Sequence, residues 1–154
     1  MISIVIDTNI IFSSLYNKEG NERVIINLIL ENDDIQLFAP DIFNVEISRN
    51  LETKLNFDKE LINRMISDFD IIEVPYENYK IKINQARKLI FHQNDIPYIA
   101  VALLINSPIW SGNEKHFKHL ENSKEIIWFN SRNVSKYLKE KGFLKEKLQG
   151  IWRK

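Results

Sequence analysis

Three acidic residues of this chain stand where burial penalises a carboxylate. Asp7 ends the short apolar run Ile2 to Ile6 and opens an Asp-Thr-Asn triplet. It therefore lies at the carboxyl end of a buried strand, the edge where open α/β sheets place ligands and catalytic groups. Glu46 falls three and four residues after Phe43 and Ile42 and next to Ile47, on the inward side of its helix. A glutamate there loses hydration unless it is protonated, paired or bound to a metal, or unless it sits at an edge and reaches water. Asp95 precedes Ile96-Pro97 and suits a helix N-cap, which needs no chemistry to account for it. The helix it opens, Ile96 to Ile105, is nevertheless apolar almost all round. Such a helix is buried, and its N-terminus opens onto an interior site. A fourth polar group comes from the strand-end segment Ile109-Trp110-Ser111-Gly112-Asn113-Glu114. Hard oxygen donors of this kind suit Mg²⁺ or Mn²⁺ rather than zinc. Carboxylates brought together repel one another, and a divalent cation removes that repulsion while activating water for phosphodiester cleavage.

Other chemistries are thinly represented. There is no cysteine, which removes disulfides, thiolate zinc sites and cysteine nucleophiles together. His92, His116 and His119 form no spaced metal pair, and read singly in polar, exposed segments they are assigned no chemistry.

The elements that must position the acids alternate between strand-length apolar runs and segments of helical period. Ile2 to Ile6 reads as a strand, Glu22 to Leu30 as a helix capped by Asn21, and Ile35 to Phe38 as a second strand. Ala39-Pro40-Asp41 turns into a helix with Ile42, Phe43, Ile47 and Leu51 on its apolar face. Asp58 caps the next helix, which carries Leu61, Ile62, Met65 and Phe69 inward, and Ile71 to Val74 is a strand stopped by Pro75. One long helix is expected from about Glu77 to Phe91, then Ile96 to Ile105 with Pro97 in its first turn. Ser107 to Trp110 and Ile126 to Phe129 return to the sheet, and helices follow to the C-terminus. This alternation predicts an α/β three-layer sandwich, a mostly parallel central sheet with helices on both faces.

At 154 residues and 44% apolar content the chain is expected to be a single domain, with a core over 2–130 and a basic helical segment over 131–154. The formal net charge is zero, but its distribution is uneven. Residues 1–110 carry 10 basic and 16 acidic side chains, and residues 111–154 carry 11 and 5. The separation allows cations to be held in one place and phosphates in another, although a solvated basic helix accounts for it equally. No apolar run approaches the roughly 18 residues of a membrane span, and the opening lacks a positive leader. A cytoplasmic protein is expected.

Ile-Asp-Thr-Asn-Ile at the start, Glu46 in a helix after Ala-Pro, Asn-Asp-Ile-Pro-Tyr-Ile-Ala-Val-Ala-Leu, and Pro-Ile-Trp-Ser-Gly-Asn resemble, in order and spacing, the four signatures of a PIN domain. The resemblance spans residues 2 to about 130 and implies a metal-dependent endoribonuclease, often the toxin of a toxin–antitoxin pair of the VapC type. It implies that Asp7, Glu46 and Asp95 bind Mg²⁺ or Mn²⁺ and that Asn9 and Ser111 support the site through hydrogen bonds. On this reading Asp7 and Asp95 hold the ion and Glu46 positions or deprotonates the attacking water. RNA, an antitoxin protein and a second copy of the chain are the partners it implies.

One departure stands out. Where the family usually has an aspartate two residues after the Ser or Thr of the fourth motif, this chain has Asn113, followed by Glu114. An amide can ligate through its carbonyl oxygen but brings no charge, and Glu114 substitutes only if the turn shifts by one residue. A degenerate PIN domain that binds nucleic acid or protein without cutting, and a phosphatase or flap-type nuclease acting on DNA, are the alternatives. In the tail, Phe143, Leu144, Leu148 and Trp152 form an amphipathic strip for a partner or pack back on the body.

Overall fold

A computed structural model of the chain describes residues 1–143. Its centre is a five-stranded, wholly parallel sheet of order β3-β2-β1-β4-β5. The strands are β1 (Ile2–Ile6), β2 (Ile35–Pro40), β3 (Ile71–Val74), β4 (Ile109–Trp110) and β5 (Trp128–Phe129). Parallel strands need covered crossovers. The helices that supply them are α1 (Thr8–Tyr16), α2 (Asn21–Leu30), α3 (Phe43–Leu55), α4 (Lys59–Ser67), α5 (Tyr76–Tyr79), α6 (Ile83–Leu89), α7 (Ile96–Ile105) and α8 (Glu114–Phe117), and α9 (Ser131–Glu140) follows the last strand. The result is the three-layer α/β sandwich expected from the alternation.

The chain winds outward from β1 through β2 to β3, then crosses back to lay β4 on the other side of β1. The gap between the carboxyl ends of β1 and β4 is thus the topological switch point, where sheets of this kind open a crevice. The walls of that crevice are buried and apolar. Ile4, Val5, Ile6, Ile109 and Trp110 are fully buried, and α7 buries Tyr98, Ile99, Ala100, Val101 and Ala102 as it packs against β1, β2 and β4. The near-uniform apolarity of α7 follows from having no solvent side over its first two turns.

Several boundaries differ from the sequence expectation. β2 continues through Ala39 and Pro40, which pair with Glu73 and Val74 of β3, whereas β1 leaves β2 at Phe38. Proline is tolerated there because its missing N–H faces no ladder partner. Helix α1 begins directly after Asp7, a segment for which no element had been read. Gly20, not Asn21, occupies the cap of α2, while Asp58 caps α4 as expected, accepting from the Leu61 N–H at 2.8 Å. Ile42 is an exposed cap residue of α3 rather than part of its buried face.

The long helix expected over 77–91 is broken. Buried Tyr79 donates its hydroxyl to Asp41 at 3.0 Å, and Lys80–Lys82 form a 3₁₀ turn between α5 and α6. That tertiary tie overrides a local helical preference that is worth only tenths of a kcal/mol per residue. Ile90 then leaves α6 in an extended conformation. β4 and β5 are also shorter than read, two residues each. In the basic C-terminal segment, α9 buries Val134 and Leu138, and Phe143 is partly buried against the core. Leu144, Leu148 and Trp152 lie outside the described residues.

Candidate active site

Asp7 follows β1 at the switch point and is 6% exposed. Its backbone N–H donates to the Trp110 carbonyl at 3.0 Å, which locks the β1 exit to β4. Ser111, fully buried at the exit of β4, donates its hydroxyl to Asp7 Oδ2 at 2.8 Å. The Thr8 hydroxyl approaches Asp7 Oδ1 at 3.4 Å. Asn9, in the first turn of α1, donates through Nδ2 to Ser111 Oγ at 3.4 Å and accepts from the Gly112 N–H at the same distance. Asp7, Asn9 and Ser111 are therefore one hydrogen-bonded unit, built from two chain segments about a hundred residues apart.

Glu46 lies on the first turn of α3, half-buried, and accepts a hydrogen bond from the Tyr98 hydroxyl at 3.2 Å. Tyr98 is three residues beyond Asp95, so both project from the same side of the start of α7. Its hydroxyl is the only polar side-chain atom of that helix. Burial raises its pKa, and the neighbouring Glu46 and Asp7 charges add to the effect. A groove of about 410 Å³ runs beside Glu46, lined by Ile42, Val45, Arg49, Asn50 and Asn94. It leads from the glutamate towards the residue preceding Asp95.

Asp95 occupies the cap position of α7 but does not cap it: its side chain bonds to no N–H of the helix. Instead Oδ2 meets His116 Nδ1 at 2.7 Å. An ionised aspartate only accepts, so the imidazole nitrogen is the donor. The cap account of Asp95 is thereby set aside. His116, assigned no chemistry from sequence, belongs to the site, and the His92 ring stacks on it with centroids 3.4 Å apart.

The three acids share one electrostatic environment. Burial is the largest cause raising Asp7 to a pKa of about 6, opposed by the Ser111 hydrogen bond and reinforced by the charge on Asp95. Burial likewise raises Glu46 to about 7, with Tyr98 opposing and the charges of Asp7 and Asp95 adding to the rise. Asp95 is raised by burial and lowered by the His116 bond and charge. Buried acids of which Asp95 hinders the ionisation of Asp7, and both hinder that of Glu46, make a candidate functional site.

Asn113 and Glu114 are placed differently. The Asn113 N–H donates to Ser111 Oγ at 3.2 Å, so its backbone joins the network, while its side chain does not cap α8. Glu114 is exposed and makes no hydrogen bond or ion pair with the three acids. Among the described residues, no three His, Asp or Glu side chains converge as a ready-made metal cage. The donor chemistry still fits Mg²⁺ or Mn²⁺, because such ions keep several waters and are commonly held by only one or two carboxylates. The repulsion that Asp95 exerts on Asp7, and that both exert on Glu46, is the feature that a cation would relieve.

A family model described as PIN domain matches residues 5–138. The chain belongs to the PIN domain family. Solved structures share the fold of this PIN domain at low identity. VapBC2 from Rickettsia felis bound to a DNA fragment from their promoter aligns at 18% identity and TM-score 0.63, covering 84% of this chain and 98% of that one. DNA-bound VapBC from Salmonella typhimurium gives 18% and 0.65, covering 85% and 99%. VapBC-1 from nontypeable Haemophilus influenzae gives 17% and 0.56, covering 85% and 98%. No curated protein sequence matches.

Sequence reasoning missed Tyr98 and His116 in this PIN domain. Tyr98 could have been found as the one hydroxyl on an otherwise apolar helix, three residues from an acid. His116 had no such signal, since its contact with Asp95 spans 21 residues and depends on how α8 folds back.

Proposed function

We propose that this PIN domain is a divalent-metal-dependent endoribonuclease that hydrolyses RNA phosphodiester bonds and acts as the toxin of a toxin–antitoxin pair. One observation carries the nuclease reading: Asp7, Glu46 and Asp95 each have their ionisation hindered by burial, Asp7 feels the charge of Asp95, and Glu46 feels the charge of both. The fold shared with VapBC proteins supports the toxin reading. An antitoxin and a second copy of the chain are the partners it implies.

Asp7 and Asp95, with Glu46, are the residues that would hold Mg²⁺ or Mn²⁺. When bound, such an ion supplies positive charge to the phosphate and lowers the pKa of water. The protein's own groups do the rest. Ser111 and Asn9 fix the Asp7 carboxylate, His116 fixes that of Asp95, and Tyr98 keeps one Glu46 oxygen occupied so that the other is available to a water proton. A carboxylate with a pKa of about 7 is well matched to accept a proton near neutral pH. Lysines and arginines of the 111–154 segment would hold the RNA backbone through phosphate contacts that carry no sequence information.

The loss of charge at Asn113 favours a second reading, a PIN domain that binds nucleic acid without cutting it. The test is incubation of labelled RNA and single-stranded DNA pools with the purified protein in Mn²⁺, Mg²⁺ or EDTA, beside an Asp7→Asn control. RNA cutting that needs metal and Asp7 supports the ribonuclease. A folded protein that binds but cuts neither polymer replaces it with the binding module, and cutting of DNA alone with a deoxyribonuclease.

A further inference from the structure

In the Asp7-Thr8-Asn9 triplet, the outer two side chains are tied to β4: Asp7 accepts from Ser111, and Asn9 donates to the same serine. Thr8, between them, is as buried as Asp7, 7% exposed, at the first position of α1. A buried hydroxyl keeps its place only with a partner. Thr8 has two within reach. One is Asp7 Oδ1 at 3.4 Å, beyond the roughly 2.5–3.0 Å of a strong O–H···O bond. The other is the hydroxyl of Tyr98, with which the Thr8 side chain hydrogen-bonds as α7 packs against β1. Tyr98 is 1% exposed and donates its one proton to Glu46 Oε1 at 3.2 Å. Towards Thr8 it is therefore the acceptor. The bonds run in one direction, from Thr8 to Tyr98 to Glu46, and end on a carboxylate.

That direction matters because the charges of Glu46 and Asp7 both act on the Tyr98 hydroxyl. A phenolic O–H rotates to suit its partners, and two acids therefore compete to orient it. A hydrogen donated by Thr8 occupies one side of the phenolic oxygen and leaves the Tyr98 proton the other, towards Glu46. Hydroxyls linked in a chain also polarise one another in a buried site, which strengthens the last bond.

We propose that Thr8 is a positioning residue that acts through Tyr98: its hydroxyl turns the Tyr98 proton onto Glu46 and so fixes the orientation of the glutamate carboxylate. This inference rests on the nuclease reading and adds to it a hydroxyl bridge between the Asp7 and Glu46 ends of the site. Because both hydroxyls are buried, the bridge acts on turnover and leaves substrate binding alone.

The test compares, in the full chain, Thr8→Val, which keeps the shape and loses the hydroxyl, with Thr8→Ser, which keeps the hydroxyl. In metal-free protein carrying isotope-labelled tyrosine, the NMR resonance of Tyr98 Cζ is assigned by its loss in Tyr98→Phe. It should move in Thr8→Val and return towards its native position in Thr8→Ser. A resonance unmoved by Thr8→Val overturns the bridge, whatever the protein does to RNA. With Mn²⁺ and RNA, Thr8→Val should lower kcat about tenfold, as the loss of one buried hydrogen bond can, with KM within about twofold. Thr8→Ser should recover most of that loss. Adding Thr8→Val to Tyr98→Phe should lower kcat by less than about twofold more, because the threonine acts only through the tyrosine. Losses that multiply in the double variant, or that are equal in Thr8→Val and Thr8→Ser, overturn the positioning role. A native protein that cuts no RNA although the resonance moves loses the nuclease reading and with it the role in turnover, while the bridge itself stands. Melting temperatures check folding; if Thr8→Val does not fold, Thr8→Ala, also without a hydroxyl, is read in the same way.

Discussion

Replacing Asp7 by Asn should stabilise the metal-free protein at neutral pH. Asp7 is nearly fully buried and its pKa is raised from 3.8 to about 6, first by burial. The folded state therefore binds this proton more tightly than the unfolded chain does. Stability contributed by the protonated form is present below about pH 4 and is lost as pH rises through about 6. At pH 7.5 the ionised carboxylate thus destabilises the fold by up to about 3 kcal/mol, at 1.36 kcal/mol per pKa unit. Asn keeps the shape and can still accept the Ser111 hydroxyl, but that bond loses its charge assistance. A net gain of about 1–2 kcal/mol is expected, which is about 3–6 °C in melting temperature for a chain of this size. Calorimetry or thermal circular dichroism in EDTA at pH 7.5 and pH 4.5 reads it: the gain should shrink strongly at the lower pH, where Asp7 of the native protein is largely protonated. Adding Mn²⁺ should reverse the order, because ligand bound only by the folded native protein adds about 2.7 kcal/mol at a hundred times its Kd. A variant that melts lower at pH 7.5, or with the same gain at both pH values, would refute the account of Asp7 as a hindered carboxylate.

The contact between His116 and Asp95 should control metal affinity through the orientation of the carboxylate. His116→Phe is expected to weaken Mn²⁺ binding by about 10-fold or more in titration calorimetry, and His116→Asn, which keeps a donor near Nδ1, to recover part of it; equal losses in both variants would mean that only packing matters. Tyr98→Phe removes a hydrogen bond that favours the charged form of Glu46, so the acidic limb of the pH–rate profile should move upward by about half a unit to one unit. An unmoved limb would exclude Glu46 as the titrating base. RNA affinity should fall with salt, log K declining linearly with log salt concentration at about 0.7 per phosphate contact for single strands; a flat dependence in filter binding would remove the charge-based contacts.

How legible this protein is depends on the range of the interactions involved. β1, β3, α4 and α7 were readable because each is specified locally, by an apolar run, by Pro75, by the Asp58 cap and by Pro97 with uniform apolarity. The break within 77–91 was not, because it depends on Tyr79 reaching Asp41 from 38 residues away. Helix α1 was missed since its start lies inside the motif that drew attention to chemistry, and Thr8 and Asn9 are weak helix formers.

The sequence by itself determined which acids are present, that Asp7 must end a buried strand, and that Asp95 must open a buried helix, because burial pattern and chain order are properties of local composition. Only the tertiary structure decided what those acids touch. Placing β4 beside β1 brings Ser111 to Asp7, the approach of the first turn of α3 to Tyr98 gives Glu46 its hydroxyl partner, and the return of α8 converts a potential helix cap at Asp95 into a partner of His116. Hydrogen bonds and charge coupling act over a few ångströms in space, whatever the separation along the chain. The hindered ionisation that makes these carboxylates a candidate site therefore exists only once the sheet has closed its switch point.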